Sequence, residues 1–166
     1  DANEDVTIIV LQSEGTTFCA GASFDELLQI DNLSDGKQFF SGFANVINAM
    51  RNCSKLIVGK VQGKAVGGGV GIIAACDYAI ASTKADVKLS ELTIGIGPFV
   101  IEPAVSRKIG HTAMGELTLA GNEWKSATWA FEKGLFAKLV QPEELDSELE
   151  KFATQLASYN PEALAE

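Results

Sequence analysis

The sequence predicts a single α/β domain, and three observations carry the prediction. Short β-branched runs occupy residues 6–11 and 56–61, apolar residues recur at helical spacing between and after them, and no linker, repeat or low-complexity stretch intervenes. A chain of 166 residues is long enough to bury a core of its own, so the whole span 1–166 reads as one unit.

Residues 6–11 (Val-Thr-Ile-Ile-Val-Leu) are apolar on both faces, which predicts a core strand covered on both sides. Residues 25–28 and 36–50 predict helices, the second long and amphipathic through Phe39, Phe40, Phe43, Val46, Ile47 and Met50. Residues 56–61 form the next strand. A glycine-rich stretch at 63–71 runs into a helical segment at 70–76, and strands are expected at 78–81 and 87–89. Beyond Pro98 the pattern turns helical, with segments at 103–109, 112–119 and 126–133, the last ending near Gly134. Trp124 and Trp129 read as helix-packing residues. A short strand at 137–140 precedes an amphipathic helix over 142–158 carrying Leu145, Leu149, Phe152 and Leu156, which Asn160-Pro161 ends.

Composition removes several function classes. A hydrophobic content of 46% with 21% charged residues is that of a soluble globular chain. No apolar run reaches membrane-spanning length, and the start of the chain, with Asp1 and Asp5, is acidic where a secretory signal is basic, so the cytoplasm is the expected compartment. Cys19, Cys53 and Cys76 lie far apart without CxxC spacing; buried free thiols are expected, with neither a disulfide framework nor a metal site. A net charge of −9 argues against a nucleic-acid partner. A small anionic ligand needs only local cations, for which Lys60, Lys64, Lys84, Lys88, Arg107 and Lys108 are available, although most of these read as solvated surface.

Two loops carry the chemistry. They are Phe18-Cys-Ala-Gly-Ala-Ser-Phe-Asp-Glu-Leu27 and Val61-Gln-Gly-Lys-Ala-Val-Gly-Gly-Gly-Val-Gly71, each between a strand and a helix. Small residues let backbone approach a ligand, and a helix starting after Gly67 directs unpaired N–H groups and the positive helix end at whatever binds there, a setting for developing negative charge. Taken alone, a triple glycine is better explained by a tight turn and close helix packing. A nucleotide loop is excluded by spacing, since neither GxxxxGK[ST] nor GxGxxG fits. His111, the one histidine, follows Gly110 at a helix opening and reads as a surface cap; with no G-x-S-x-G elbow, a serine triad is not expected.

Together these loops resemble the enoyl-CoA hydratase/isomerase, or crotonase, superfamily. Phe18-Cys-Ala-Gly-Ala-Ser is similar to the family's F-x-A-G-A-D segment, Gly63-Lys-Ala-Val-Gly-Gly-Gly69 to its G-x-A-x-G-G-G, and Cys76-Asp77 to the C-D that follows. Lys88-Leu-Ser-Glu-Leu-Thr-Ile-Gly-Ile-Gly-Pro98 resembles its P-E-x-x-x-G-x-x-P loop, with Ser90 in place of the usual proline. The resemblance covers about residues 6–150. It implies a crotonase-like spiral of ββα units and a partial core, since family members carry a β-rich segment before the equivalent of Val6 and further helix after that of Glu166. It also implies an acyl-coenzyme A thioester as substrate with no tightly bound cofactor, and a homotrimer or homohexamer.

By the same resemblance, the N–H groups of Ala22 and Gly68 form an oxyanion hole, Cys19, Ala20, Ala22, Gly67 and Gly68 contact the thioester ligand, and Glu91 is the catalytic acid–base group. One departure bears on the reaction. Family hydratases carry another glutamate three residues after the second oxyanion glycine, where this chain has Gly71. Moving a double bond needs one base and hydration benefits from two carboxylates, so an isomerase that shifts a 3-enoyl to a 2-enoyl thioester is expected first, a hydratase of a straight or branched enoyl thioester second, and a non-catalytic binding protein third. Glu102 reads as a helix N-terminal charge, with a replacement carboxylate as the alternative.

Overall fold

The computed structural model describes Asn3 and residues 5–164; the acidic start at Asp1 lies outside the described residues. The strands divide between two sheets in strict alternation. β1 (Ile8–Leu11), β3 (Leu56–Val61), β5 (Tyr78–Ser82) and β7 (Lys138–Val140) form one sheet in that order, and β2 (Thr17–Cys19), β4 (Lys64–Val66) and β6 (Val87–Lys88) form the other. Every ladder in both sheets is parallel. A parallel neighbour cannot be reached by a tight hairpin, so the chain gives one strand to each sheet and crosses back through helix or loop. The result is the spiral of ββα units that the resemblance implies.

Each helix has a local cause. α1 (Phe24–Leu28) begins where the Ser23 side chain accepts the Glu26 N–H, and α2 (Leu33–Arg51) begins where Asn32 does the same for Asp35. α3 (Gly68–Ala75) is apolar all round and mostly buried, packed on α2, α4, β2 and β4. α4 runs over Glu102–Leu119 but holds Gly110 at φ 76° and ψ 159°, outside helical geometry, so two helical pieces meet there as the spacing predicts. α5 (Ala127–Glu132) is capped by Ser126, and α6 (Leu145–Ala157) is followed by the short α7 (Pro161–Leu164). Ion pairs Lys60–Asp146 and Lys138–Glu148 tie α6 to the first sheet, where Phe152 packs on Tyr78 with ring centroids 4.2 Å apart.

Three expectations are corrected. The face of β1 that carries Val10 is open, with Val10 38% exposed, so the strand is not covered on both sides; an apolar run marks a face that can be buried without showing what buries it. Trp124 stands outside any helix, beneath the Lys64 and Lys88 ammonium groups, at 4.5 Å and 5.8 Å from the ring centroid. β2 and β4, each of 3 residues, are additional strands inside the two glycine loops. Asp77 serves the fold, since its Oδ2 accepts the Ile57 N–H at 2.7 Å and joins the end of α3 to β3. Cys76 beside it is buried, which pushes its thiol up to about 12 and leaves it unreactive.

Candidate active site

The second sheet sets the two glycine loops side by side. β2 pairs with β4, so the segment leaving β2 through Ala20, Gly21 and Ala22 runs against the segment leaving β4 through Gly67 and Gly68. The fit is close: a Cβ on Gly21 would stand 3.0 Å from the Val66 carbonyl oxygen and 3.8 Å from the Gly68 nitrogen. Gly67, the N-cap of α3, has φ 53° and ψ −118°, a backbone that a side chain disfavours. The left-handed backbone therefore falls on Gly67 and not on Gly68, whose missing side chain instead leaves room for Phe43, with ring atom Cε1 at 2.2 Å from the position of a Cβ. Gly68 opens the helix, so its N–H has no carbonyl one turn behind it, and neither it nor the Ala22 N–H takes part in the loop and cap hydrogen bonds of the described residues.

Glu91 reaches the same place from β6. The Gly67 N–H donates to the Lys88 carbonyl at 2.9 Å, fastening the second loop to the end of that strand. One turn of 3₁₀ helix, Glu91–Ile94, follows and is closed by Gly95 at φ 81°. The Ile96 N–H donates to the Glu91 carbonyl at 3.1 Å, holding the turn shut. The carboxylate rests against bare backbone, since a Cβ on Gly67 would lie 2.8 Å from Glu91 Oε1. Glu91 Oε2 is buried without a hydrogen-bond partner. Burial raises the pKa of the carboxyl above its ordinary value, against a smaller opposing pull from its own backbone N–H.

These groups enclose a cavity of about 200 Å³. Ala20, Ala22, Gly67, Gly68 and Glu91 all line it, and Glu91 is the one ionisable side chain among the described lining residues. Cys19 is not in the lining; its Cβ lies 2.8 Å from where a Cβ on Gly69 would be, in the packing between β2 and α3. Phe24, Phe39, Phe40 and Phe43 form an aromatic wall. The α2 phenylalanines have the same spacing whether a helix face covers a core or a cavity, so the sequence marks the face without marking the hole.

Position 71 is closed. A Cβ there would lie 2.4 Å from Ile101 Cγ2, 2.7 Å from Ile101 Cβ and 3.2 Å from Ile47 Cδ1, so the space is already filled by apolar side chains. Ile101, which lines the cavity and is 3% exposed, has no marker in the sequence. Glu102 does not line the cavity; it opens α4, its Oε1 accepts from Ser106 Oγ at 2.6 Å, and exposed His111 stands 3.8 Å from it. The cations considered for an anionic ligand are also placed elsewhere. Lys60 pairs with Asp146, Arg107 and Lys108 donate to the carbonyls of Ala74 and Asp77, Lys88 to that of Asn122, and Lys84 is exposed.

Alternating parallel sheets, paired glycine loops and a lone half-buried glutamate define a crotonase-fold domain. Comparison with known proteins agrees: the family profile described as enoyl-CoA hydratase/isomerase matches residues 1–166. The chain belongs to the enoyl-CoA hydratase/isomerase family. It is 30% identical over 165 residues to the mitochondrial enoyl-CoA hydratase domain-containing protein 3 of Rattus norvegicus, covering 98% of this chain and 54% of that protein. It is 26% identical to the peroxisomal Delta(3,5)-Delta(2,4)-dienoyl-CoA isomerase of Arabidopsis thaliana, covering 99% of this chain and 63% of that one. Among solved structures, an enoyl-CoA hydratase/isomerase (crotonase) from Legionella pneumophila superposes with a TM-score of 0.94 at 33% identity, over 99% of this chain and 64% of that one. The chain thus spans between about half and two thirds of the length of these relatives.

Proposed function

We propose that this domain binds an enoyl-CoA thioester with its carbonyl oxygen between the N–H groups of Ala22 and Gly68, and that Glu91 shuttles a proton to move the double bond. The observation that carries the reading is Glu91, half-buried with its Oε2 lacking a hydrogen-bond partner, and the one ionisable side chain among the described residues of a mostly apolar cavity. A carboxylate whose pKa is raised is a stronger base than one in water, and two fixed donors aimed at the enolate oxygen offset the charge that proton removal creates. The base takes a proton from C2 of a 3-enoyl thioester; the electron pair spreads into the thioester carbonyl and the adjoining double bond. Returning a proton from the solvent-exchangeable Glu91 carboxyl to C4 leaves the 2-enoyl product, with no water consumed and no bound cofactor used. The aromatic wall suits an apolar acyl chain.

The second reading is hydration of a 2-enoyl thioester, favoured by the name of the rat relative, as the isomerase reading is by that of the plant relative. The complete protein, incubated in deuterated water with 2-enoyl and 3-enoyl thioesters, separates them. Double-bond migration with deuterium entering C2 and little water addition supports the isomerase. Efficient water addition moves the hydratase to first place. In Glu91→Gln, exchange at C2 is expected to fall by ~10²–10⁴ with binding largely retained. Unchanged exchange removes Glu91 as the base.

A further inference from the structure

Position 71 sits on α3, one helical turn beyond Gly68 and on the same side of the helix. A side chain there would enter the cavity region, but the structure supplies that side chain from elsewhere. Ile101, the N-cap residue before α4, lays its Cγ2 and Cβ 2.4 Å and 2.7 Å from where a Cβ on Gly71 would be, and the same side chain lines the cavity that holds Glu91. At 3% exposure the side chain is fixed by packing, with Ile47 on α2 closing the space at 3.2 Å. Gly71 and Ile101 are therefore complementary: one position is empty because the other fills it.

We propose that Ile101 is a specificity-determining residue, an apolar plug that denies water a seat beside the reacting carbons and so directs the reaction toward proton return. This rests on the enoyl thioester reading above. The two outcomes differ in one co-reactant. In migration a proton leaves C2 and one returns at C4; in hydration a water molecule gives hydroxide to C3 and a proton to C2. A water held for attack needs polar partners and room, and the Ile101 side chain removes both from that wall. The hydrophobic side chain does no proton transfer itself, so its effect belongs in the ratio of products.

The test uses the complete protein with 2-enoyl and 3-enoyl CoA thioesters. Ile101→Ala and the milder Ile101→Val are compared with the native protein for the ratio of water addition to migration, with C2 exchange in deuterated water as the internal control. The ratio is expected to rise on the order of tenfold in Ile101→Ala, and less in Ile101→Val, while exchange persists. A loss of folded protein lowers both activities together and leaves their ratio alone, so the ratio reads specificity. An unchanged ratio with exchange intact overturns the proposal. A native protein that exchanges no C2 proton instead overturns the thioester reading itself. A structural arm stands apart from catalysis. Gly71→Ala is expected to lower the melting temperature, and adding Ile101→Ala is expected to recover part of that loss; if Gly71→Ala melts with the native protein, the plug is not there.

Discussion

At the scale of single residues, the cost of the site is concentrated in Glu91 and Gly67. Burial raises the Glu91 pKa above its ordinary value of 4.5, so the folded protein holds that proton at a pH where the unfolded chain has lost it. The stability attached to this group is fully present below the unfolded value and is lost as pH rises through the folded one. Glu91→Gln, neutral at every pH, is therefore expected to melt higher than the native protein near neutral pH, with the advantage shrinking in mild acid. Paired melting curves across that range check it, and an advantage independent of pH would assign the effect to packing. Gly67→Ala is expected to destabilise by about 1–3 kcal/mol through its φ of 53° and to displace a carboxylate oxygen 2.8 Å from the new Cβ. Denaturant unfolding checks the first part, and loss of C2 exchange the second. Glu91 is legible in the sequence because a motif surrounds it. Ile101 is not, because its meaning is a contact with Gly71, thirty positions earlier, and no local pattern encodes it.

Among the elements, glycine has opposite effects in two helices, and this gives a matched pair of substitutions. Gly42 is exposed inside α2 with nothing within 4 Å of a new Cβ, so Gly42→Ala is expected to stabilise by ~0.5–1 kcal/mol. Gly110 has equally open space but a φ of 76°, so Gly110→Ala is expected to destabilise by about 1–3 kcal/mol through the backbone alone. Urea titrations of the two variants should move in opposite directions; a shift of the same sign would show that the break in α4 is not held by Gly110. The break itself is visible in the sequence as two helical segments, because the apolar spacing restarts after the glycine. β3 is legible to the residue, since Leu56, Ile57 and Val58 open a strand-length segment that Val61 closes and that polar Lys55 and Gln62 flank. β2 and β4 are hidden, because a strand of 3 residues is shorter than any alternation that could reveal it, and the loops' small residues signal turns first.

For the molecule as a whole, the remaining question is what covers its apolar surface. Leu33 is 90% exposed, Phe99 82% and Leu119 82%, and they sit at the start of α2, before α4 and at the end of α4. Scattered exposed apolar residues are ordinary, but three nearly bare large ones in a chain that spans 54% of its rat relative suit cover by further chain or by another subunit. From the family resemblance, and not from these three residues, we propose that the complete protein runs as a trimer, or as a pair of trimers, in size-exclusion chromatography with light scattering. Leu119→Lys makes the expectation specific. On a free surface that substitution changes stability by no more than about 0.5 kcal/mol and leaves the elution unchanged. Within a closed interface it buries an unpaired ammonium, so the assembly is expected to fall apart into smaller species at the same protein concentration. A native complete protein that is monomeric at working concentration would sink the assembly reading, and a Leu119→Lys protein that keeps the native mass would place the contact on another face.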